Sequence, residues 1–377
     1  MNVTDFLEGL ERLGVDFYTG VPDSKLKALC DALSERYGTD TVKHRIATNE
    51  GIATALAAGY HLSSDRIGCV YLQNSGLGNI INPIASLLSE EVYGIPCVFV
   101  IGWRGEPDLH DEPQHLFQGK VTLDLLRVMD VPYQVLDRES SCEEFEEALG
   151  RFGKSLEKGK SVAFVMRAEA LSHESRMKYE NPYSVRREEI LEILADEVES
   201  DILVATTGKT SRELFEIRER KGQAHKQDFL TVGSMGHSSS IALQIALKKP
   251  AMKVWCIDGD GALLMHMGAM ALIGSSKAEN FVHLVINNQA HESVGGQPTI
   301  ADRIDLLKIA EGCGYREVLR LQSPEEIREA FGKVSDKKGP VFIEIKSAIG
   351  SRKDLGRPTQ STKENKRELM DYLKGCV

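Results

Sequence analysis

The sequence predicts an α/β protein built from two doubly wound parallel-sheet domains. Three observations predict it. Short apolar runs of strand length alternate with helical patterns from end to end. The alternation stops once, in a polar segment, and then restarts. The 377 residues suffice for two or three domains with ample core, and 42% apolar with 27% charged residues is an ordinary globular balance.

In chain order, Val15–Thr19 reads as a strand and Ser24–Tyr37 as a helix. "HRIAT" follows as a strand and Glu50–His61 as a helix. "IGCVYLQ", "PCVFVIG" and "SVAFVMR" are continuous apolar runs of the kind that lie buried on both faces of a parallel sheet. Residues 168–187 are polar, charged and without periodicity, and read as a linker between a domain of residues 1–167 and one of residues 188–377. In the second domain "DILVAT", "DFLTV", "KVWCID", "FVHLVI" and "VFIEI" read as strands separated by helices. The tail "SRKDLGRPTQSTKENK" has few apolar residues and reads as a mobile cover or plain surface.

The bulk properties exclude several classes. A formal net charge of −10 argues against a nucleic-acid partner. No apolar run approaches the roughly 20 residues of a membrane helix, and the acidic, amphipathic N-terminus lacks a signal-peptide pattern. The seven cysteines (Cys30, Cys69, Cys97, Cys142, Cys256, Cys313 and Cys376) contain no C-x-x-C pair, which points to reduced thiols in a cytoplasmic protein rather than to disulfides or a zinc site.

The chemistry concentrates in "DGDGALLMH", Asp258 to His266. It follows a strand and opens a helix expected over about Ala262–Ser276. A helix N-terminus favours anions, so an aspartate between two glycines there makes sense only if a cation is bound as well. The segment after Gly261 provides one helix, a loop and the strand "FVHLVI", so Asp260 and the pair Asn287–Asn288 emerge side by side at the carboxyl edge of one parallel sheet. A carboxylate, an amide oxygen and a backbone carbonyl form a hard-oxygen half-shell suited to Mg²⁺, with a diphosphate completing it.

Gly-Asp-Gly followed by Asn-Asn at this spacing resembles the thiamine-diphosphate-dependent enzymes. The resemblance implies metal ligation by Asp260, Asn288 and the backbone of Ala290, with Gly259, Gly261 and Ala262 beside the diphosphate. A second match is "TNEGIATALAAGYHL", where Glu50 takes the position of the glutamate that protonates the aminopyrimidine ring. A third is "TVGSMGHSSS", where Gly233, Ser234 and Met235 match the segment that props the cofactor into a bent shape. The resemblance implies thiamine diphosphate and Mg²⁺ as cofactors. It also implies at least a homodimer, because in the family the cofactor bridges one subunit's first domain and its partner's second. The chain has no room for the middle domain of many relatives, which points to the compact decarboxylases.

"GVPDSKL", "WRGEPDLHDEPQHLFQGKVT", "NNQAHESVGGQPT" and "ATTGKTSREL" carry the resemblance toward enzymes acting on a small anionic 2-oxo acid, a pyruvate with a phosphonate or, next, a sulfonate at carbon 3. Such a pocket needs donors, and Ser24, Lys25, Arg104, His110 and His115 are the candidates. His115, His291 and Glu292 are candidates for proton transfer. Better-known relatives have adjacent histidines where this chain has the separated His110 and His115, a glutamate where it has Val294, and a serine where it has Ala262.

Three rival readings compete with this one. "DILVATTGKTSREL" resembles a P-loop, but Leu203 stands where the first glycine of that motif belongs, so Thr207 and Gly208 are assigned to the thiamine cofactor instead. A non-catalytic cofactor-binding subunit conflicts with an intact Glu50. A carboligase of acetolactate-synthase type conflicts with the missing middle domain.

Overall fold

The computed structural model describes every residue except 110, 176, 199, 335, 336, 376 and 377, together with the side chain of residue 113. The chain divides into two units: Met1–Lys178 with Val294–Gln297, and Tyr179–Ser293 with Pro298–Val377. The main division falls inside the polar stretch read as a linker. That stretch is tied down at its start, where Ser172 pairs with Asn2 and Ala170 is buried.

The first unit contains β1 (Val15–Gly20), β2 (His44–Ile46), β3 (Ile67–Gln73), β4 (Cys97–Gly102), β5 (Tyr133–Leu136) and β6 (Val162–Met166). They form one sheet in the order β2-β1-β3-β4-β6-β5, with every ladder parallel. Alternation along β3 and β4 feeds two cores. Cys69, Tyr71, Val98 and Val100 join a cluster with Phe6, Phe145, Phe152 and Phe164, whereas Val70, Leu72, Phe99 and Ile101 face Ala53, Ala57 and Ile80. This period of two with both faces buried is why these strands read as unbroken apolar runs. The strand order reverses between β1 and β3, and the helix Glu50–Ser64 connects β2 to β3. Glu50 therefore stands at the carboxyl edge beside the switch point, where open α/β sheets bind ligands.

The second unit contains β7 (Ile202–Ala205), β8 (Asp228–Leu230), β9 (Val254–Gly259), β10 (Phe281–Asn287), β11 (Glu317–Leu321) and β12 (Val341–Lys346), in the order β11-β12-β10-β9-β7-β8 and again all parallel. Gly259 of β9 pairs with Ile286 of β10, so the residues after each strand, Asp260 and Asn287–Asn288, leave the sheet at the same edge.

Three sequence expectations are corrected. The helix expected over Ala262–Ser276 is two helices, Asp260–Met265 and Gly268–Ser276, separated where His266 turns out of helical geometry. His266 packs its ring 4.2 Å from that of His237, and a Cβ at Gly236 would lie 2.7 Å from it, so the break seats an imidazole against the "GSMGH" loop. The tail is not plain surface, because it ends in the helix Thr362–Gly375. From that helix Asn365, 5% exposed, accepts from Leu230 N at 3.1 Å and donates to Asp228 O at 2.8 Å. Strands β5 and β11 add to those that the sequence pattern marks.

Candidate active site

In the first unit Glu50 opens its helix behind the N-cap Asn49, whose side chain accepts from Ile52 N at 2.8 Å. Glu50 is 4% exposed. Burial raises its pKa above the ordinary carboxylate value, and a hydrogen bond from Asn79 Nδ2 to Oε2 at 2.6 Å partly opposes this. The turn Asn74–Gly76 after β3 passes directly over the carboxylate. A Cβ on Gly76 would sit 2.3 Å from Oε1, so only glycine admits the backbone there.

The same turn reaches the substrate candidates. Asn74 donates to Arg104 O at 2.8 Å and to Thr122 Oγ1 at 2.9 Å, and Arg104 N donates back to Asn74 Oδ1 at 3.1 Å. Arg104 grips Asp111 through two nitrogens, at 2.8 and 2.5 Å, and donates to Ser24 Oγ at 3.2 Å. Lys25 pairs with buried Glu106 at 2.6 Å, and Arg167 takes the other oxygen of that carboxylate at 2.6 Å. Ser24 and Arg104 are thus brought into contact, while the charges of Lys25 and Arg104 are already partnered. Burial, reinforced by Arg104, lowers the pKa of His115, and its Nδ1 is a buried atom without a hydrogen bond. His110 lies outside the described residues. Nothing in the local sequence marks Asp23. It is fully buried, burial raises its pKa, and it accepts from Gln73 Nε2 at 2.5 Å and Lys25 N at 3.0 Å.

In the second unit Asp260 is 2% exposed, and burial pushes its carboxyl up to about 6. Its Oδ2 accepts from the hydroxyl of Thr299. Thr299 N in turn donates to Gln289 O at 3.0 Å, tying the loop after Asn288 to the aspartate. A buried carboxylate whose charge the protein interior disfavours is a group that a cation would relieve. Asn288, 7% exposed, accepts from Ala290 N at 3.1 Å through Oδ1, which leaves that oxygen one lone-pair direction for a metal. The donor set of carboxylate, amide and backbone oxygens fits Mg²⁺, whose further ligands are usually water and phosphate. Around it the backbone is open: a Cβ on Gly259 or Gly208 would meet nothing within 4 Å. Met235 packs its Cε 3.3 Å from the Cβ position of Gly261, beside the ring of His291, while Ser234 adopts a left-handed φ of 55°. Thr207 and Gly208 precede the helix Lys209–Lys221, with Gly208 at a φ of 91°. Buried Gly261 and Ala262 lie in the first turn after Asp260, and Gly233 precedes Ser234.

The two candidates for proton transfer in this unit differ. His291 is buried, and burial drops its pKa to about 4. Burial raises the Glu292 carboxyl, but Arg187 and Lys209 outweigh it and hold the group below its ordinary range. Arg187 and Lys209 were missed, as were Asn79 and Thr299. One cysteine does join a cluster of metal-ligand type: Cys256, Asp258 and His283 bring potential ligand atoms within 4.8 Å of one another, all buried, with His283 Nδ1 at 2.9 Å from Tyr315 OH.

Comparison with known proteins accords with these two clusters. Residues 1–126 match the family described as "Thiamine pyrophosphate enzyme, N-terminal TPP binding domain", and residues 206–345 match its "C-terminal TPP binding domain". The chain is 35% identical to a phosphonopyruvate decarboxylase of Streptomyces hygroscopicus, over 99% of this chain and 94% of that one. It is 32% identical to the phosphonopyruvate decarboxylase of Streptomyces viridochromogenes, over 99% and 95%. A sulfopyruvate decarboxylase of Methanosarcina acetivorans is 26% identical, over 98% and 97%.

Proposed function

The chain belongs to the thiamine pyrophosphate enzymes, and on that premise we propose that it decarboxylates phosphonopyruvate to CO₂ and, with uptake of a proton, phosphonoacetaldehyde. The observation that carries the reading is full-length likeness to two phosphonopyruvate decarboxylases, at higher identity than to the sulfopyruvate enzyme. Thiamine diphosphate, when bound, supplies the nucleophilic carbon and the electron sink that loss of CO₂ from a 2-oxo acid requires.

The protein's own residues bind, orient and exchange protons. Asp260, Asn288 and the carbonyl of Ala290 hold Mg²⁺, and Gly259, Gly261, Ala262, Thr207 and Gly208 leave backbone room for the diphosphate. Glu50 is buried, and burial raises its pKa, so it holds a proton to higher pH than an ordinary carboxyl group does and can pass it to a ring nitrogen pressed against it. Met235 offers an apolar prop. Ser24, Arg104 and His115 face the substrate. Arg104 can turn a third nitrogen, now on Ser24, toward the phosphonate while Asp111 fixes its plane.

The active protein is at least a homodimer, with Glu50 of one subunit serving a cofactor whose diphosphate is held by the other. Free cysteines throughout the described residues support a reducing compartment, the cytoplasm. No helix among those residues is long and apolar enough to cross a membrane.

The test is decarboxylation of phosphonopyruvate, sulfopyruvate and pyruvate measured side by side, with and without thiamine diphosphate and Mg²⁺. Preference for the first substrate with dependence on both cofactors is expected. Preferred turnover of sulfopyruvate would move the assignment to the sulfonate, comparable turnover of pyruvate would remove the anion specificity, and turnover without the cofactor would end the reading.

A further inference from the structure

Glu292 accepts hydrogen bonds from three side chains, those of Lys209, Arg187 and Asn288. Its Oε1 accepts from Lys209 Nζ at 2.8 Å, and its Oε2 accepts from Arg187 Nη1 at 3.0 Å and from Asn288 Nδ2 at 2.8 Å. Arg187 is itself fixed on its other edge by Glu213, through contacts of 2.7 and 2.8 Å, and Glu213 is 1% exposed. The four charged groups neutralise one another in a row, buried at Arg187 and Glu213, that ends on the side-chain amide of Asn288. The backbone of Asn288 is held as well, because Asn181 Nδ2 donates to its carbonyl at 2.8 Å and to Ser347 O at 2.9 Å.

An asparagine can present either its oxygen or its NH₂ to a given neighbour, and only the partners around it select between them. A carboxylate at 2.8 Å accepts and cannot donate, so it fixes the NH₂ of Asn288 on its own side and turns Oδ1 the other way. The amide of Ala290 independently marks that oxygen, donating to it at 3.1 Å. Glu292 could not hold this position alone, since it would be a buried anion; Arg187 and Lys209 supply the countercharge.

We propose that Glu292, clamped by Arg187 and Lys209, is a positioning residue that sets the amide of Asn288 so that its oxygen faces the metal. This replaces the proton-transfer role expected from the sequence, and it rests on the reading of Asp260, Asn288 and Ala290 as the magnesium site. Orienting partners behind a metal ligand typically contribute 10- to 100-fold in metal affinity or activity.

The experiment titrates Mg²⁺ into the full-length protein at saturating thiamine diphosphate, with calorimetry as the readout and circular dichroism as the check on folding. Glu292→Ala is expected to weaken Mg²⁺ binding by about 10- to 100-fold. Its kcat should return to within a few-fold of wild type once Mg²⁺ is saturating. Glu292→Gln tests the same point with the side-chain volume kept, should the alanine variant fold poorly. The double variant Asn288→Asp with Glu292→Gln exchanges donor and acceptor and keeps the charge of the pair. Its carboxylate has no wrong way round, so it should recover most of the lost affinity. Wild-type Mg²⁺ affinity in Glu292→Ala together with lost turnover would overturn the proposal in favour of proton transfer. Failure of the exchange to recover binding would also count against it. If the wild-type protein bound no Mg²⁺ at saturating cofactor, the reading of the metal site itself would fall, a result distinct from either of these.

Discussion

Asn79 donates its side-chain amide to Oε2 of Glu50 at 2.6 Å, while the backbone of Gly76 crosses so close to the other oxygen that a Cβ would lie 2.3 Å from it. Glu50 is therefore confined from two directions by a helix and a turn that follow β3, and its carboxylate has essentially one place to be.

Gly76→Ala should displace that carboxylate while leaving the hydrophobic clusters on the two faces of the sheet untouched. A shift of about 1 Å at a reacting group costs about 100-fold. A fall of that order in kcat, with Mg²⁺ binding unchanged, is expected; near-normal kcat would mean that the position of Glu50 does not limit the reaction.

Asn79→Ala removes a hydrogen bond that favours the ionised form of Glu50. Such a bond to a charged group contributes about 1.5–3 kcal/mol, or about 1–2 pH units. Burial already raises this pKa and Asn79 opposes the rise, so its loss moves the pKa further up. The limb of the kcat/KM profile belonging to Glu50 should shift to higher pH, and an unmoved profile would count against the assignment.

Asp260 makes the metal-free protein less stable. Burial pushes its folded pKa up to about 6, above the ordinary carboxyl value of 3.8. A raised carboxyl pKa means that the folded state binds the proton more tightly than the unfolded state. The cost is therefore absent below the lower value, grows as pH rises between the two, and is complete above about 6, where it reaches ~3 kcal/mol. Asp260→Asn should raise the melting temperature of the metal-free protein at pH 7.5 and abolish the further rise that Mg²⁺ with thiamine diphosphate gives the wild type. Equal melting temperatures of the two metal-free proteins would refute the cost.

Arg104→Lys replaces a fork that grips Asp111 by two nitrogens and Ser24 by a third with a single charged point. The two side chains are not interchangeable at such a site. KM for phosphonopyruvate should rise about tenfold or more, the scale of one charge-assisted hydrogen bond, with a smaller change in kcat. Steady-state kinetics distinguishes this from a role in the chemical step, which would lower kcat at unchanged KM.

Ten strands were legible because each is a run of apolar residues buried on one or both faces. The two that escaped, β5 and β11, are edge strands with a single neighbour each. They carry Gln134, Glu317 and Arg320 where a central strand would have Val or Ile, so their apolar signal is diluted. Asp260, Asn288 and Glu50 could be picked out because each sits in a motif at a strand end or helix start. Asn79, Arg187 and Thr299 could not. They reach their partners from 29, 105 and 39 residues away along the chain, and nothing local marks an asparagine, arginine or threonine as the second half of a contact. The interrupted helix at His266 was hidden for a related reason, since its cause is a ring on a different loop.

The side chain of Asn365 satisfies both a donor and an acceptor of β8, the outermost strand on its side of the second sheet. An amide borrowed from the C-terminal helix thus does the work of a missing neighbour and blunts a template that would otherwise recruit foreign chains. Growth of the sheet by strand addition is hindered on that flank. Removing the last helix would bare both of these backbone groups and leave the flank open to pairing with another chain.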